Sequence, residues 1–263
     1  MKNFMDNKSL KPELRKKIIL ELLNYNDFIS VHEVIGRCNV SEVTVRRDLA
    51  DLEDKGLLIR THGGAVKSVA AGYLFTYDNK ISHRRENKED ICHAASTFIK
   101  NNDIIFIDCG TTLSFMAKFV TKFDSLTIIT NSLPIVSELI NFPNIKLILI
   151  GGEVISERKA IYGVFAVNNI SQYHANKSFI GADGVSLSDG LTSYDENEAY
   201  ISSKMLENSD EVYLLCDSSK IEKNSFVKFA ALSSVDYIVT DKNLDDKHLQ
   251  NYKKNNINII NGI

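Results

Sequence analysis

The sequence predicts a chain of two parts, a small helical domain followed by a larger, mainly parallel α/β domain. Residues 10–66 carry apolar residues at helical spacing and end in a Gly-Gly turn, whereas residues 86–263 alternate short apolar runs with helical stretches. Continuous apolar strands separated by helices are typical of a parallel sheet covered on both faces. Residues 67–85 have no pattern that could form a core, and we expect them to be a linker.

The composition is that of a globular protein. Apolar residues make up 44% and charged residues 25% of the 263 residues, so one or two domains with a sizeable core are expected. The longest apolar runs are strand-sized, which predicts no membrane span, and the first residues lack an apolar signal segment. The four cysteines and six histidines are dispersed without metal-ligand spacing. We therefore expect a cytoplasmic protein without a bound metal.

Three helices are predicted in the first domain. The first is indicated by one apolar face, which consists of Leu14, Ile18, Ile19, Leu22 and Leu23. Ser30 is expected to cap a second helix, and Cys38-Asn39-Val40 is expected to form the tight turn before a third, which Ser41 caps. This spacing fits a helix-turn-helix unit, in which the second helix supports the third.

The third helix is predicted to have one buried and one exposed side. Its apolar stripe, at i, i+4 and i+7, consists of Val45, Leu49 and Leu52. Val43 and Arg47 point away from this stripe, and Thr44 and Arg46 flank them. In a DNA major groove, the arginine guanidinium groups can contact guanine edges or phosphates, and the methyl groups of the valine and threonine can contact thymine. Gly56 is expected to end the helix.

The run from Leu58 to Val66 predicts two short strands around Gly63-Gly64, which would form a wing beside the third helix. The two features together predict a DNA-binding winged helix-turn-helix domain. The candidate DNA contacts are Ser41, Val43, Thr44, Arg46, Arg47, Arg60, Thr61, His62 and Gly63. A small helical domain with a solvated basic face, or a protein-binding module, is the alternative.

The second domain is predicted as strands that alternate with helices. The expected strands are residues 103–108, 126–130, 145–150, 177–181, 211–216, 237–239 and 257–260. The expected helices are residues 87–100, 113–120, 133–141, 163–173, 197–208 and 245–254. Ligands of open α/β sheets bind at the carboxyl ends of the strands, so the residues that follow each strand are candidate site residues.

Polar residues and glycines follow five of these strands. After the first, Gly110 permits a close turn, and Thr111 and Thr112 at a helix start can hold an anion. Lys220 offers a point charge for a phosphate. Three carboxylates, those of Asp108, Asp183 and Glu198, can accept hydrogen bonds from sugar hydroxyls. Any one of these loops could instead be only a helix cap.

The candidate effector site collects these strand ends. Its residues are Asp108, Gly110, Thr111, Thr112, Asn131, Ser132, Gly151, Gly152, Asp183, Glu198 and Lys220. The chain has neither of the two glycine-rich patterns that cradle nucleotide phosphates, so no nucleotide cofactor is expected.

The chain resembles the DeoR family of bacterial transcription regulators from about Pro12 to Asp241. The N-terminal motif residues are Val40-Ser41, Thr44-Val45-Arg46-Arg47-Asp48-Leu49, Leu52-Glu53, Gly56-Leu57 and Arg60-Thr61-His62-Gly63-Gly64-Ala65. The C-terminal ones are Asp108, Gly110-Thr111-Thr112, Thr130-Asn131-Ser132, Gly151-Gly152, Phe179-Ile180-Gly181-Ala182-Asp183-Gly184, Asp217 and Ser219-Lys220. Cys109 stands where the family more often has a serine.

The resemblance implies a sensor domain similar to ribose-5-phosphate isomerase and, more distantly, to coenzyme A transferases. It implies a phosphorylated sugar or related metabolite as effector and a change in operator binding. The isomerases carry a paired aspartate in an Asp-Gly-Ala-Asp stretch and a Lys-Gly-Gly-Gly-Gly loop. Here the first position is Ile180, only Asp183 remains, and Ser188-Asp189-Gly190-Leu191 stands in place of the loop. Because proton transfer needs a placed acid or base, catalysis is not expected.

The sequence thus predicts a DNA-binding transcription regulator, a repressor of a sugar or sugar-derivative catabolic operon. Its expected partners are double-stranded operator DNA, a phosphorylated sugar and further copies of itself, because one helix-turn-helix reads only a half-site and a homodimer or homotetramer reads two. One alternative is a sugar-phosphate isomerase with an appended DNA-binding domain. Another is a regulator whose C-terminal domain only oligomerises.

Overall fold

The computed structural model describes residues 10–26, 28–54, 58–61, 63–67 and 77–262. The chain divides into two compact units, Met1–Lys80 and Ile81–Ile263. The first unit contains, in chain order, α1 (Pro12–Tyr25), β1 (Ile29–Ser30), α2 (Val31–Cys38), α3 (Glu42–Asp54), β2 (Leu58–Thr61) and β3 (Gly64–Lys67). A further helix, α4 (Tyr77–Ser82), lies in the segment for which the sequence predicted a linker.

Capping side chains set the starts of α2 and α3. The Ser30 hydroxyl accepts a hydrogen bond from the Glu33 N–H at 3.0 Å, and the Ser41 hydroxyl accepts one from the Thr44 N–H at 3.3 Å. Asn39 ends α2 in the left-handed conformation (φ 51°) and so makes the tight turn before α3. Both predicted caps are confirmed. The expected helix end at Gly56 lies outside the described residues.

The core of the first unit confirms the predicted stripe of α3 and corrects one residue of α1. Val45, Leu49 and Leu52 are buried together with Ile19, Leu22 and Leu23. Leu14, which the sequence placed on the same apolar face, is exposed. The buried face of α1 instead runs through Arg15, which lies four residues before Ile19, and Leu14 is turned about 100° from that line.

The second unit contains α5 (Arg85–Ser96), β4 (Ile104–Ile107), α6 (Ala117–Val120), β5 (Leu126–Thr130), α7 (Leu133–Leu139), β6 (Ile145–Leu149), β7 (Glu153–Ile155), β8 (Ala160–Tyr162), α8 (Val164–Ile170), β9 (Ala175–Ile180), β10 (Gly184–Ser186), β11 (Gly190–Ser193), α9 (Glu196–Glu207), β12 (Ser209–Leu215), β13 (Val227–Ala230), β14 (Tyr237–Thr240), α10 (Asp246–Lys254) and β15 (Ile259–Asn261). The helix predicted over residues 113–120 begins as a 3-10 turn, Leu113–Met116, before it becomes α6.

Seven of these strands form one parallel sheet in the order β15-β14-β12-β9-β4-β5-β6. Chain order runs outward from β4 in one direction and from β9 in the other. The crevice between the carboxyl ends of β4 and β9 is therefore the topological switch point, where ligands of such sheets bind. Two apolar clusters, one around Phe106 and Leu214 and one around Ile105 and Phe179, form the core of this unit. The predicted fold class is confirmed.

Two small antiparallel sheets were not predicted. One is the hairpin β7–β8, and the other is the three-stranded sheet β10-β11-β13. Their strands have only three or four residues, too few for an alternating pattern to stand out. No helix among the described residues is long and apolar enough to cross a membrane.

Candidate functional site

Helix α3 presents a polar face to solvent. Val43, Arg46 and Arg47 are exposed on it, and Thr44 is half-buried beside them. The Arg46 guanidinium forms an ion pair with Glu42 one turn earlier, at 2.7 Å. Arg47 has no ion pair among the described residues. Of the two arginines of α3, Arg47 can therefore bind a phosphate or a base without first breaking an ion pair with a carboxylate.

A buried ion pair holds α3 against α1. Asp48, the residue after the two arginines, accepts hydrogen bonds from Nε and Nη2 of Arg15 at 2.6 and 2.9 Å, and both residues are almost fully buried. The Arg15 guanidinium also donates to the Leu10 carbonyl at 2.5 Å. The pKa of Arg15 is raised, chiefly by the hydrogen bond to Asp48. The bidentate pair fixes the rotation of α3 and hence the direction in which its arginines point.

The wing consists of β2 and β3, and β3 also pairs with β1. The close approach of β1 to β3 requires Gly64, because a Cβ atom there would lie 1.8 Å from the carbonyl oxygen of Ile29. Arg60 on β2 is anchored to Glu53 of α3 through its backbone N–H at 2.9 Å and its Nε at 2.6 Å. These bonds lower the pKa of Glu53, the backbone bond most. Gly63 is exposed, and His62 lies outside the described residues.

An open groove of about 510 Å³ runs between α3 and the wing. Its lining residues are Val31, Arg46, Leu49, Glu53, Arg60, Thr61 and Gly64. The Thr61 hydroxyl oxygen is buried there and has no hydrogen-bond partner in the described part of the chain. The predicted contact residues Arg46, Arg60 and Thr61 are thus brought together along one groove.

The loop after β4 forms one side of the switch point. Gly110 has a φ of +112°, which favours glycine. Lys88 of α5 is buried and donates a hydrogen bond from Nζ to the Thr111 hydroxyl at 3.0 Å. Thr112 is buried, and its carbonyl accepts a hydrogen bond from the Cys92 thiol. The loop thus brings an ammonium group to the threonines that were expected to hold an anion.

Asp108 lies beneath this loop rather than on its surface. One carboxylate oxygen accepts a hydrogen bond from the Ser202 hydroxyl at 2.6 Å and the other from the Cys109 N–H at 2.7 Å. Burial raises the pKa of Asp108 to about 7, and nearby Glu198 adds to the increase. Because both oxygens are used within the fold, Asp108 joins the loop to α9 and positions it.

The strand end after β5 is covered by β8. The Asn131 carbonyl accepts from the Ile161 N–H at 2.9 Å, and the Asn131 amide donates back to the Ile161 carbonyl at 3.3 Å. The Cys109 thiol and the Tyr162 hydroxyl share a hydrogen bond at 3.1 Å, and Cys109 is buried in the core. Burial raises the pKa of both groups. These residues form a floor for the switch point.

The Asn131 side-chain oxygen and the Ser132 hydroxyl are buried without a hydrogen-bond partner among the described residues. Gly151 and Gly152 follow β6, two strands away from β4 and so about 10 Å from its end. A Cβ atom on Gly152 would lie 2.5 Å from the Tyr162 carbonyl, so this glycine permits the hairpin to pack closely.

Two cations meet carboxylates at the switch point. Arg158, in the turn of the β7–β8 hairpin, lies 3.6 Å from Glu198 of α9, and its side chain is 15% exposed. Lys220 donates from Nζ to the Ala182 carbonyl at 2.6 Å and lies 3.9 Å from Asp183. Burial lowers the pKa of each cation, but the carboxylates more than offset it: Glu198 and Asp183 for Arg158, Asp183 and Asp217 for Lys220.

These contacts bring together three of the predicted site residues, Asp183, Glu198 and Lys220. Glu198 acts electrostatically on Arg158, Lys220 and Asp108, so the charges form one cluster. A cluster with two cations, carboxylate acceptors and a hydroxyl-bearing loop can bind a small, polar, anionic molecule.

Both units match family models. Residues 15–68 match a DeoR-like helix-turn-helix domain, and residues 83–242 match a DeoR C-terminal sensor domain. The chain belongs to the DeoR family. It is therefore a DNA-binding transcriptional regulator, as the resemblance implied.

Curated relatives of this DeoR-family protein cover most of its length. It is 35% identical over 231 residues to the HTH-type transcriptional regulator IolR of Bacillus subtilis, covering 88% of this chain and 92% of the relative. It is 37% identical over 228 residues to the lactose phosphotransferase system repressor of Staphylococcus epidermidis, covering 86% of this chain and 90% of the relative.

Solved structures resemble the chain more weakly. A ribose 5-phosphate isomerase A from Methanocaldococcus jannaschii aligns with a TM-score of 0.39 and 16% identity, over 52% of this chain and 54% of that chain. The tetrameric eIF2B-beta2-delta2 complex from C. thermophilum aligns with a TM-score of 0.47 and 13% identity, over 87% of this chain and 82% of that chain.

Sequence reasoning missed three charged residues of this DeoR-family protein. Arg158 lies in a hairpin that was not predicted, Lys88 comes from the helix before β4, and Asp48 turns inward beside two outward arginines. The clue to Asp48 was its helical position, because it directly precedes Leu49 on the buried stripe. Nothing in the local sequence distinguishes Arg158 from an exposed loop arginine.

Proposed function

We propose that this protein is a repressor of an operon for the breakdown of a sugar or sugar derivative, controlled by a phosphorylated sugar. The effector binds at the switch point between β4 and β9. There Arg158 and Lys220 meet its phosphate, and Asp183 and Glu198 accept hydrogen bonds from its hydroxyls. Thr111 and Lys88 supply further donors to the phosphate.

The observation that carries this proposal is the pair of largely buried cations, Arg158 and Lys220, which interact electrostatically with the same two carboxylates, Asp183 and Glu198. Largely buried cations are costly unless paired, and these two are paired with carboxylates. A dianionic phosphate can replace the carboxylates as the ion-pair partner of both cations. Asp183 and Glu198 can then accept hydrogen bonds from sugar hydroxyls. The name of one relative, the lactose phosphotransferase system repressor of Staphylococcus epidermidis, agrees with a sugar-related role.

The DNA-binding part of the proposal places α3 in a major groove and the wing against the backbone. Arg47 and Arg46 reach bases or phosphates, and Arg60 reaches a phosphate. A homodimer or homotetramer supplies two such units, so the operator has two half-sites.

We infer that the site binds without catalysis, which argues against the isomerase alternative. Ile180 occupies the position where the resembled isomerases carry their first aspartate, and it is fully buried in the core. Of the aspartate pair of the isomerases, only the second has a counterpart here, Asp183, and it lies 3.9 Å from the Lys220 ammonium. General acid–base chemistry needs a group that can take and return a proton at the substrate.

A thermal-shift screen of the full chain tests the effector proposal. Sugar phosphates are compared with the same sugars without phosphate and with inorganic phosphate. At a concentration of about 100 times Kd a true effector adds about 2.7 kcal/mol, which corresponds to a rise in Tm of roughly 5–10 °C for a domain of this size.

Arg158→Gln is expected to abolish that rise, whereas Lys146→Ala, a change on the outer strand β6, leaves it intact. If no sugar phosphate stabilises the wild type, the effector proposal is wrong. The alternative, in which the C-terminal domain only oligomerises, then replaces it. If the unphosphorylated sugars stabilise equally well, the phosphate site is wrong. Turnover of a sugar phosphate would restore the isomerase alternative.

A further inference from the structure

A two-residue break, His83-Arg84, separates helix α4 from helix α5. Arg84 has φ 54° and ψ 38°, the left-handed conformation that residues with a Cβ atom rarely adopt. Residues 77–96 contain neither glycine nor proline, the residues that most strongly disfavour a helix. Among the residues that the structure describes, the Arg84 side chain caps no backbone N–H of α5. Neither helix-breaking residues nor a cap therefore accounts for the break.

An ion pair with a distant loop does account for it. The Arg84 guanidinium donates from Nη1 to the Asp217 carboxylate at 2.7 Å, and the two side chains are 36% and 7% exposed. The same carboxylate oxygen accepts the Ser219 N–H at 3.1 Å and so caps the 3-10 turn Ser218–Lys220. The rare backbone conformation thus coincides with a hydrogen bond that reaches across 133 residues of sequence.

A helix that runs through the break also fits the packing on both sides of it. Ile81 of α4 packs against the apolar cluster that contains Ala95 of α5. Ile81, Lys88 and Ala95 are seven residues apart, about two helical turns, and the last two are buried. The segment therefore has two forms, a broken one in which Arg84 binds Asp217 and a continuous one in which Arg84 is released.

Asp217 connects the break to the effector site. Lys220 donates its backbone N–H to the Asp217 carbonyl at 3.0 Å. Burial acts to raise the pKa of Asp217, but Lys220, the Ser219 hydroxyl and Arg84 together lower it below its usual value. A phosphate at Lys220 is repelled by the Asp217 carboxylate, and a paired Arg84 offsets that repulsion. The anion therefore binds the broken form more tightly than the continuous form.

We propose that the break at His83-Arg84 is a switch that the effector controls: an anion at Lys220 holds Arg84 on Asp217 and keeps the helix broken, and release of Arg84 joins α4 and α5. The inference rests on the proposed function, which places that anion at Lys220. A ligand shifts such an equilibrium by the difference in its affinity for the two forms. The chain comes from the DNA-binding unit through α4, so the two forms differ in the direction in which it enters the second unit.

Hydrogen exchange of the full chain, followed by mass spectrometry, tests the two forms without any ligand. The first amide groups of a helix have no partner within that helix, so those of residues 85–87 gain backbone partners when α4 continues into α5. Arg84→Ala releases the pair, and we expect exchange at residues 85–87 to slow by roughly tenfold. Asp217→Asn is expected to slow it as well. An ion pair that only stabilises the local structure predicts the opposite, faster exchange in both variants.

Two further variants separate the backbone from the charge. Arg84→Gly also loses the ion pair, but glycine accepts the left-handed conformation, so exchange is expected to slow less than in Arg84→Ala. Arg85→Ala is the matched control, because Arg85 is the next residue and pairs with Glu89 inside α5 at 2.8 Å. Its exchange is expected to match the wild type. Unchanged or faster exchange in Arg84→Ala, or a folded Asp217→Asn that exchanges like the wild type, would overturn the inference.

Binding of the sugar phosphates used in the thermal-shift screen tests the link to the effector site. A sugar phosphate that stabilises the wild type is expected to bind Arg84→Ala roughly tenfold more weakly. In an Asp217→Asn background, Arg84→Ala should change Kd no further, because Arg84 acts through Asp217. An unchanged Kd in the single variant, or a further loss in the double variant, would overturn the link.

The two proposals fail in different ways. If no sugar phosphate stabilises the wild type and Arg84→Ala still slows exchange, the proposed function is refuted and the two forms of the helix stand. If a sugar phosphate stabilises the wild type and Arg84→Ala exchanges like the wild type, only the switch is refuted.

Discussion

Lys220 provides the sharpest test of the effector site. Its ammonium donates to the Ala182 carbonyl at 2.6 Å, lies 3.9 Å from Asp183, and belongs to a side chain that is 27% exposed. Replacing it by alanine removes one cation from the proposed phosphate site. The proposed operator-binding surface consists of α3 and the wing, which belong to the other unit of the chain. Operator binding without effector should therefore stay nearly unchanged.

The expected magnitude follows from the contact that is lost. A hydrogen bond to a charged group contributes about 1.5–3 kcal/mol, and exposure of about a quarter of the side chain favours the lower half of that range. The effector concentration that releases half of the operator should therefore rise roughly 10–40-fold. An arginine at the same position keeps the charge and should recover part of the loss.

Fluorescence anisotropy measures this release. A labelled DNA duplex that the wild type has selected is bound to the protein, and a sugar phosphate is then added. Lys204→Ala is the matched control, because Lys204 is 30% exposed and lies on α9, where it pairs with Glu207. Its dose–response should match the wild type. If Lys220→Ala also overlays the wild type, Lys220 does not touch the effector and the phosphate site must be abandoned.

Four further predictions concern DNA contact and stability. Arg47→Ala should weaken specific operator binding by about 1–3 kcal/mol with the fold intact; unchanged affinity in titrations of both this variant and Arg46→Ala would remove α3 from the interface. Arg60→Ala should weaken binding to all duplexes and flatten the salt dependence by about one phosphate contact, and a loss confined to one base pair would make Arg60 a base reader. Arg15→Met should cost about 3–5 kcal/mol in the urea-measured stability of the first unit, because it leaves the Asp48 carboxylate buried without its partner. A loss below about 1 kcal/mol would contradict that role. The pKa of Asp108 is about 7 in the folded state and about 4 in an unfolded chain. The folded state therefore keeps a proton that the unfolded state releases. As a result, the free energy of unfolding falls as pH rises from about 4 to 7. Asp108→Asn should remove on the order of 3 kcal/mol of that fall between pH 5 and pH 8, and parallel pH curves for variant and wild type would disprove the buried charge.

The fold and the helix-turn-helix were readable from the sequence because they depend on local patterns. The apolar stripe of Val45 and Leu49 and the caps at Ser30 and Ser41 act over one or two helical turns, and the structure has them where the sequence placed them. The parallel strands were readable for the same reason, since a strand buried on both faces is apolar along its whole length. Short hairpins such as β7–β8 have no such pattern.

What the sequence determined by itself was therefore the type of each long element, the fold class and the strand ends at which polar residues collect. Tertiary structure alone decided which of those residues meet. It placed Arg158 beside Glu198, forty residues later in the chain, and Arg15 beside Asp48. It also placed Asp108 beneath the loop it precedes. The physical reason is that charge pairing and burial depend on distances between segments that only the packing of the sheet and its helices brings together, whereas helix and strand patterns are set by near neighbours in the chain.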